Sequence, residues 1–227
     1  MNDSTLVLIG ALIGAAAAII GGIIGGFVQG WAWYRYEQKR AAAEKHEQWI
    51  ETALEWAANG RRESLRRANL SGADLREVDL ASTEDARADL SFAALNEADL
   101  TGADLTGAYL NGANLNKANL FEANLNGANL IGADLIKADL FGANLIGADL
   151  TGAYLNEAIL HKANLTRANL TWAALNGAYL QGANLTGANL SVANLTLAYL
   201  QGANLTGAYL ALAYLQGANL TLSLIHI

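Results

Sequence analysis

The 227-residue sequence contains no cysteine and no proline. The absence of cysteine excludes disulfides, thiolate metal sites and cysteine nucleophiles, and it is compatible with a reducing compartment. Aromatic residues make up 7% of the chain and charged residues 15%. Because alanine, leucine, glycine and asparagine dominate instead, the composition differs from that of a mixed globular core, and no enclosed, irregular pocket is expected.

Histidines are few and dispersed: His46, His161 and His226 lie in three separate parts of the chain. A catalytic triad or a metal site needs converging side chains at first-shell spacing, which this pattern does not offer. We therefore expect no enzyme activity, no cofactor and no metal.

The formal net charge of -7 is distributed unevenly. The first 67 residues carry 8 Lys and Arg against 7 Asp and Glu, whereas the rest carries 6 against 14. An acidic surface repels the phosphate backbone, so direct nucleic-acid binding is not expected unless the surface imitates nucleic acid.

Residues 1–36 form an N-terminal segment with a long uncharged run. No residue from Ser4 to Tyr34 is charged, and a helix over about residues 5–28 is long enough to cross a hydrocarbon layer of roughly 30 Å. A cleaved signal peptide is the alternative, but Asp3 and the lack of a basic start disfavour it. The pattern favours one transmembrane helix.

The residues flanking this run predict its orientation. Only Asp3 precedes it, whereas an aromatic belt and several basic residues follow it: Trp31, Trp33, Tyr34, Arg35, Tyr36, Lys39, Arg40 and Lys45. Because positive charge marks the cytoplasmic side, we expect a single-pass membrane protein, in a bacterial inner membrane, whose remaining chain is cytoplasmic.

Small residues recur at every fourth position of the run: Gly10, Gly14, Ala18, Gly22, Gly26 and Gly30. Such a stripe lets a second helix approach closely, either from another copy of this chain or from a membrane partner. Glycine is also frequent in membrane helices without that role, so both interpretations stay open.

Residues 37–67 predict an amphipathic connecting helix. Its apolar face includes four large side chains: Trp49, Ile50, Leu54 and Trp56. The end of a repeat array exposes apolar side chains and unpaired backbone, so we expect this face to cap the first coil. Lying on the membrane surface is the alternative use of the same face.

Residues 68–221 repeat every five positions, with units such as ADLTG, ANLNG and AYLQG. Leucine closes each triplet, alanine lies two residues before it, and Asn or Asp usually lies between them. A period of five fits neither a helix nor a flat strand, so the chain must turn at each unit. Four turns close a square coil in which alanine and leucine point inward, and the coils stack about 4.8 Å apart.

This run of A(N/D)LXX units resembles the pentapeptide-repeat family. The resemblance covers about thirty-one units, or roughly two-thirds of the chain. It implies an all-β solenoid, a right-handed quadrilateral β-helix of nearly eight coils, and it identifies a fold more surely than a function.

One unit departs from the repeat: residues 81–85 read ASTED, which puts Asp85 where leucine belongs. A buried, unpaired carboxylate costs several kcal/mol, so we expect Asp85 to turn outward. The distorted corner is either a partner-binding bulge or a tolerated irregularity.

Residues twenty apart share a face when four units make a coil. On this rule Tyr179 and Tyr199 stack, either as a contact strip or as a packing ladder. The same rule predicts that Asp79 and Asp99 share a face in a dilute acidic stripe.

Residues 222–227 read LSLIHI, a translation of the transposon-adapter sequence CTGTCTCTTATACACATC used in preparing DNA libraries. We interpret this tail as adapter-derived and exclude it from fold reasoning.

Together these patterns favour a membrane-anchored, cytoplasm-facing scaffold that binds an unidentified protein partner without catalysis. One alternative is a DNA-mimicking inhibitor of a topoisomerase such as gyrase, as the resemblance suggests. Another is an accessory subunit of a membrane transport or sensing complex.

Overall fold

A computed structural model of the chain describes residues 35, 37–38, 40–55, 65–80 and 88–223. The chain divides into two units, Met1–Glu47 and Gln48–Ile227. In the first unit the described residues are helical, and Arg40 Nε lies 2.9 Å from Glu44 Oε1 as an exposed pair one helical turn apart. Such exposed pairs contribute roughly 0.3–0.5 kcal/mol.

Helix α1 covers residues 40–55, and its residues from Gln48 onward belong to the second unit. The rest of that unit is a solenoid whose first described turn begins at Leu65. Its regular geometry continues to Ser223, whose N–H donates to the Leu220 carbonyl. The described part of the solenoid thus covers residues 65–80 and 88–223.

Four columns of single-residue parallel bridges run along the solenoid, and we number the faces they form 1 to 4 in chain order. Face 1 contains Asn69, Ala94, Asn114, Asp134, Tyr154, Ala174, Asn194 and Tyr214. Face 2 contains Asp74, Asp99, Asn119, Asp139, Ile159, Tyr179, Tyr199 and Asn219. Face 3 contains Asp79, Asp104, Asn124, Asn144, Asn164, Asn184 and Asn204. Face 4 contains Asp89, Tyr109, Asn129, Asp149, Asn169, Asn189 and Tyr209.

The core is a stack of alanine and leucine ladders. From Ala88 to Leu205 every inward alanine and leucine is at most 2% exposed. Each coil bonds to the next in the same way, for example Asn144 N–H to the Ala123 carbonyl at 2.9 Å and Leu145 N–H to the Asn164 carbonyl at 2.7 Å. Burial and backbone pairing therefore repeat with one geometry, as the sequence predicted.

Each corner between faces is a two-residue turn, and where the preceding face residue is Asn or Asp its side chain stabilises the turn. The Asn or Asp oxygen accepts a hydrogen bond from the N–H two residues later, at 3.0 Å between Thr151 and Asp149. The Thr151 hydroxyl bonds to the same oxygen. The second turn residue always has positive φ, between 53° and 69° in the described repeats, and glycine occupies this position most cheaply.

The first coil is longer than the others, which corrects one expectation. Asp79 pairs with Asp104, twenty-five residues later, while Asp89 pairs with Tyr109 after twenty. Five extra residues therefore lie between faces 3 and 4 of this coil, in the region of the ASTED unit. Consequently Asp79 and Asp99 are on different faces, and the prediction that they share one was wrong. Asp85 lies outside the described residues.

We predict that Leu145→Ala lowers the free energy of unfolding by about 2–5 kcal/mol, because the site is fully buried and cannot collapse. The matched Leu215→Ala, at a half-buried position of the last described coil, should cost less than half as much. Urea unfolding followed by circular dichroism measures both. Equal losses would contradict the graded burial of the core.

Deleting residues 83–87 should leave the solenoid intact, since Asp79 and Asp104 would then be twenty residues apart like every later pair. Closing a shorter connection costs less conformational entropy. The free energy of unfolding should therefore stay constant or rise by up to about 1 kcal/mol. Thermal unfolding is the measurement. A marked loss of stability would show that the extra residues support the first coil.

Candidate interaction surface

An aromatic column runs along face 2 and the adjoining corner, from Phe121 through Phe141, His161 and Tyr179 to Tyr199. The successive ring centroids are 5.4, 6.4, 6.0 and 5.1 Å apart. The first and last pairs are stacked, with interplanar angles of 8° and 3°. Five consecutive coils thus present one continuous strip of rings.

The two stacked ring pairs at the ends of the aromatic column cover each other's faces, whereas the contacts of His161 are tilted at 55° and 34°. Tyr179 and Tyr199 are exposed, while Phe121, Phe141 and His161 are partly exposed. The Lys162 ammonium lies 5.6 Å from the centre of the Phe141 ring, within range of a cation–π interaction. The strip is therefore amphipathic, and residues of this kind are enriched at protein interfaces.

Charge near the start of face 2 is partly neutralised locally. Arg76 Nε donates to Asp74 Oδ1 at 2.8 Å and lies 3.9 Å from Asp99 Oδ2. The hydrogen bond from Arg76 lowers the pKa of Asp74 below its ordinary value, with a smaller opposing effect of desolvation, and the pKa of Arg76 is raised in return. Asp99 and Asp139 lie on this face, whereas Asp79 does not.

The corner between faces 1 and 2 carries two ion pairs between coils. Lys117 Nζ lies 3.5 Å from Glu97, and Lys137 Nζ lies 3.4 Å from Glu157. Both pairs are largely exposed, so each contributes at most about 1 kcal/mol. Their main effect is to mix the two signs of charge along this edge.

The predicted cap residues meet the solenoid in part. Trp49 and Ile50 are partly buried and pack against the buried cluster that includes Ala53 and the first coils. Leu54 is exposed and lines an open cleft with Asp74, Arg76, Glu77 and Val78. Trp56 lies outside the described residues, and a capping role remains a prediction.

The predicted helix–helix stripe also lies outside the described residues, with all six of its positions: Gly10, Gly14, Ala18, Gly22, Gly26 and Gly30. The same holds for the transmembrane segment at about residues 5–28. No helix within residues 35–55 or elsewhere in the described chain is long and apolar enough to cross a membrane. In the same residues, no three His, Asp or Glu side chains converge as metal ligands.

A family model of pentapeptide repeats matches in eight copies, over residues 58–84, 86–121, 118–156, 163–198 and 193–223. The chain belongs to the pentapeptide-repeat family. The family assignment covers most of the chain and agrees with the four-unit coils described above. No match was found among curated proteins.

Several solved structures of pentapeptide-repeat proteins are similar to this chain. HetL, involved in heterocyst differentiation regulation in Nostoc sp. strain PCC 7120, is 33% identical, with 74% of this chain and 92% of HetL covered and a TM-score of 0.36. Rfr23 from the cyanobacterium Cyanothece 51142 is 35% identical, covering 45% and 88%, with a TM-score of 0.36.

A third similar structure is QnrB1, a plasmid-mediated fluoroquinolone resistance protein. It is 20% identical, covering 68% and 75%, with a TM-score of 0.47. None of these three TM-scores reaches 0.5, so the family assignment rests on the repeats and on sequence identity.

Sequence reasoning on this pentapeptide-repeat protein found the tyrosine pair and missed the rest of the aromatic column. The twenty-residue spacing of Phe121, Phe141 and His161 was a usable signal. The three residues occupy the first turn position, whereas Tyr179 and Tyr199 occupy the face position. The column crosses from corner to face between His161 and Tyr179, eighteen residues apart, which a fixed twenty-residue rule does not detect.

We predict a coupling of about 0.5–1.5 kcal/mol between Tyr179→Asn and Tyr199→Asn in a double-mutant cycle of unfolding free energies, because stacked aromatic pairs contribute that much beyond burial. Asn is the residue that most units have at this position, so neither change disturbs the turn. Tyr154→Asn with Tyr199→Asn is the matched pair without ring contact and should show no coupling. Equal coupling in both pairs would contradict a stabilising stack.

Proposed function

We propose that this pentapeptide-repeat protein is a non-catalytic scaffold that presents the aromatic column to a protein partner. The observation that supports it most is the continuity of the column over five coils. A flexible loop has to be ordered on binding, whereas a rigid solenoid loses little conformational entropy. An exposed strip with fixed ring spacing is therefore suited to recognition.

The same proposal includes a membrane tether. Its basis is the sequence alone: the uncharged run from Ser4 to Tyr34, followed by basic residues. In this proposal the run crosses the membrane once and the solenoid is cytoplasmic. The tether determines where in the cell the protein binds its partner, and the surface of the solenoid determines which partner is bound.

Mimicry of DNA, with a topoisomerase as the target, is the second candidate, and the acidic excess of the repeats favours it. The distribution of charge weakens it. The last acidic residue of the repeats is Glu157 and the last basic one is Arg167, so the stretch from residue 168 onward has no Asp, Glu, Lys or Arg. A mimic of a phosphate backbone needs regularly spaced negative charge along its length.

The third candidate is an accessory subunit of a membrane transport or sensing complex. It differs from the scaffold in the surface that binds the partner. Here the small-residue stripe at Gly14 and Gly22 would meet a partner helix. Gly14→Leu with Gly22→Leu would abolish association in that case. The scaffold proposal expects association to depend on the solenoid.

Affinity capture of the full chain from native membranes tests the scaffold. We expect a specific protein to be retained by the wild type and by Tyr154→Asn, and lost with Tyr179→Asn plus Tyr199→Asn, because only the double variant removes the exposed rings of the column. Retention by all three variants would refute the column as the contact. Resistance of the full chain to alkaline extraction reports the tether separately, and inhibition of gyrase supercoiling reports DNA mimicry.

A further inference from the structure

One of the four solenoid edges, the 4–1 edge between face 4 and the next face 1, differs from the others in charge. From Ser91 to Leu212 none of its turn residues is charged. These residues are Ser91, Phe92, Asn111, Gly112, Ile131, Gly132, Thr151, Gly152, Thr171, Trp172, Ser191, Val192, Ala211 and Leu212. Every other edge carries charge among its described turn residues, such as Lys137, Glu122 and Arg167.

The 4–1 edge also carries large apolar side chains in solvent. Phe92 is 49% exposed, Ile131 42%, Trp172 66% and Leu212 81%. Three exposed tyrosines flank it on the adjoining faces: Tyr154, Tyr209 and Tyr214. The apolar positions therefore form a stripe parallel to the solenoid axis.

Four large apolar residues of the 4–1 edge occupy left-handed backbone positions that favour glycine. Phe92, Trp172, Val192 and Leu212 have φ of 59°, 63°, 59° and 58°. A β-branched residue such as Val192 is disfavoured there. Bulky apolar residues thus lie on this edge although their positive φ is sterically unfavourable. They do not contribute to the buried core.

The edge begins with positive charge. Arg66 and Arg67 occupy its first described turn, where Arg67 N–H donates to the Ser91 carbonyl at 3.0 Å. The Arg66 guanidinium lies 5.6 Å from the centre of the Phe92 ring. Basic residues, exposed aromatic rings and aliphatic side chains in one line are the composition of surfaces that lie at a membrane interface.

We propose that the 4–1 edge lies on the lipid bilayer, with Arg66 and Arg67 at the headgroups and the side chains of Phe92, Ile131, Trp172 and Leu212 inserted among them. This rests on the proposed membrane tether, which would keep the solenoid near a bilayer. It adds that the solenoid lies along the surface and does not project away from it.

The spacing of the apolar side chains favours lipid over a protein partner. Asparagine, glycine and threonine residues separate Phe92, Ile131 and Trp172, so the stripe is sparse. A protein interface needs continuous, closely packed contact at its centre, whereas fluid lipid fills the gaps between isolated side chains.

Three carboxylates flank the edge on faces 4 and 1: Asp89, Asp134 and Asp149. Each accepts a hydrogen bond from the turn N–H two residues later, at 3.0 Å. These carboxylates belong to faces and not to the turns, so the apolar side chains project beyond them at the corner. They counteract Arg66 and Arg67, so contact depends mainly on apolar insertion.

The sequence offers a matched pair of reporter sites. Ile131 and Ile146 both occur in the context NLIGADL, and both precede a glycine with φ of 63°. Ile131 is on the 4–1 edge, whereas Ile146 is on the edge between faces 3 and 4. Because the chain has no native cysteine, Ile131→Cys and Ile146→Cys each accept a single fluorescent label.

The test reconstitutes the labelled full chain into phosphatidylcholine vesicles containing a nitroxide lipid, and flotation first establishes that the chain is bound. We expect quenching at residue 131 to exceed that at 146 at least about twofold, because interfacial burial reaches only ~5–10 Å. Adding Trp172→Asn and Leu212→Asn should reduce quenching at residue 131. Asn tolerates positive φ, and circular dichroism confirms that the variant is folded.

The outcomes separate the two proposals. A chain that does not float with the vesicles overturns the tether and the edge contact together. A chain that floats with equal quenching at both sites overturns the edge contact alone, as does quenching at residue 131 that the Asn variants leave unchanged. Stronger quenching on phosphatidylglycerol vesicles, at residue 131 only, would further support the role of Arg66 and Arg67.

Discussion

The inward alternation of alanine and leucine at a five-residue period is the constraint on which the rest of the structure depends. The small alanine lets the walls approach, and the leucine fills the space between them. Because every coil repeats this packing, coils stack with one backbone register and the face and turn residues fall into columns. The interior therefore leaves only three of every five positions free to vary, and any function of the solenoid depends on columns of residues about twenty apart.

Much of this was predictable from residues that must be inside. The leucine period predicted the turns, and the spacing of Tyr179 and Tyr199 predicted their stack, since both follow from local geometry. The pairing of Asp79 was predicted wrongly for a physical reason. An insertion of one whole unit preserves the five-residue phase while it shifts the four-unit register of the coil, so Ala88 looks regular although its face has changed. The link from His161 to Tyr179 could not be predicted from a twenty-residue rule, because the column moves there from corner to face. The N-terminal predictions fall on residues that the structure does not describe.

Charge is sorted among the edges, and this sorting gives the solenoid distinct sides. The 1–2 edge carries the exposed ion pairs of Lys117 and Lys137, and the 2–3 edge carries the first half of the aromatic column beside Lys162. Beyond Arg66 and Arg67 in its first described turn, the 4–1 edge carries no charged turn residue from Ser91 to Leu212. In a four-sided coil the 2–3 and 4–1 edges are diagonally opposite, so the order of the faces alone keeps the aromatic column and the apolar stripe on opposite sides.

That opposition links the two proposed contacts. If the 4–1 edge lies on a bilayer, the aromatic column at the 2–3 edge is the part of the coil farthest from the lipid and open to a partner in solution. The arrangement needs no conformational change, because repeat stability is a sum of local and nearest-neighbour terms, and a substitution in one column leaves the opposite column in place. Loss of lipid contact would then change where and in which orientation the column is presented, and would leave its intrinsic affinity for a partner unaltered. If both proposals hold, orientation at the membrane, and not allostery within the solenoid, is the property that this architecture regulates.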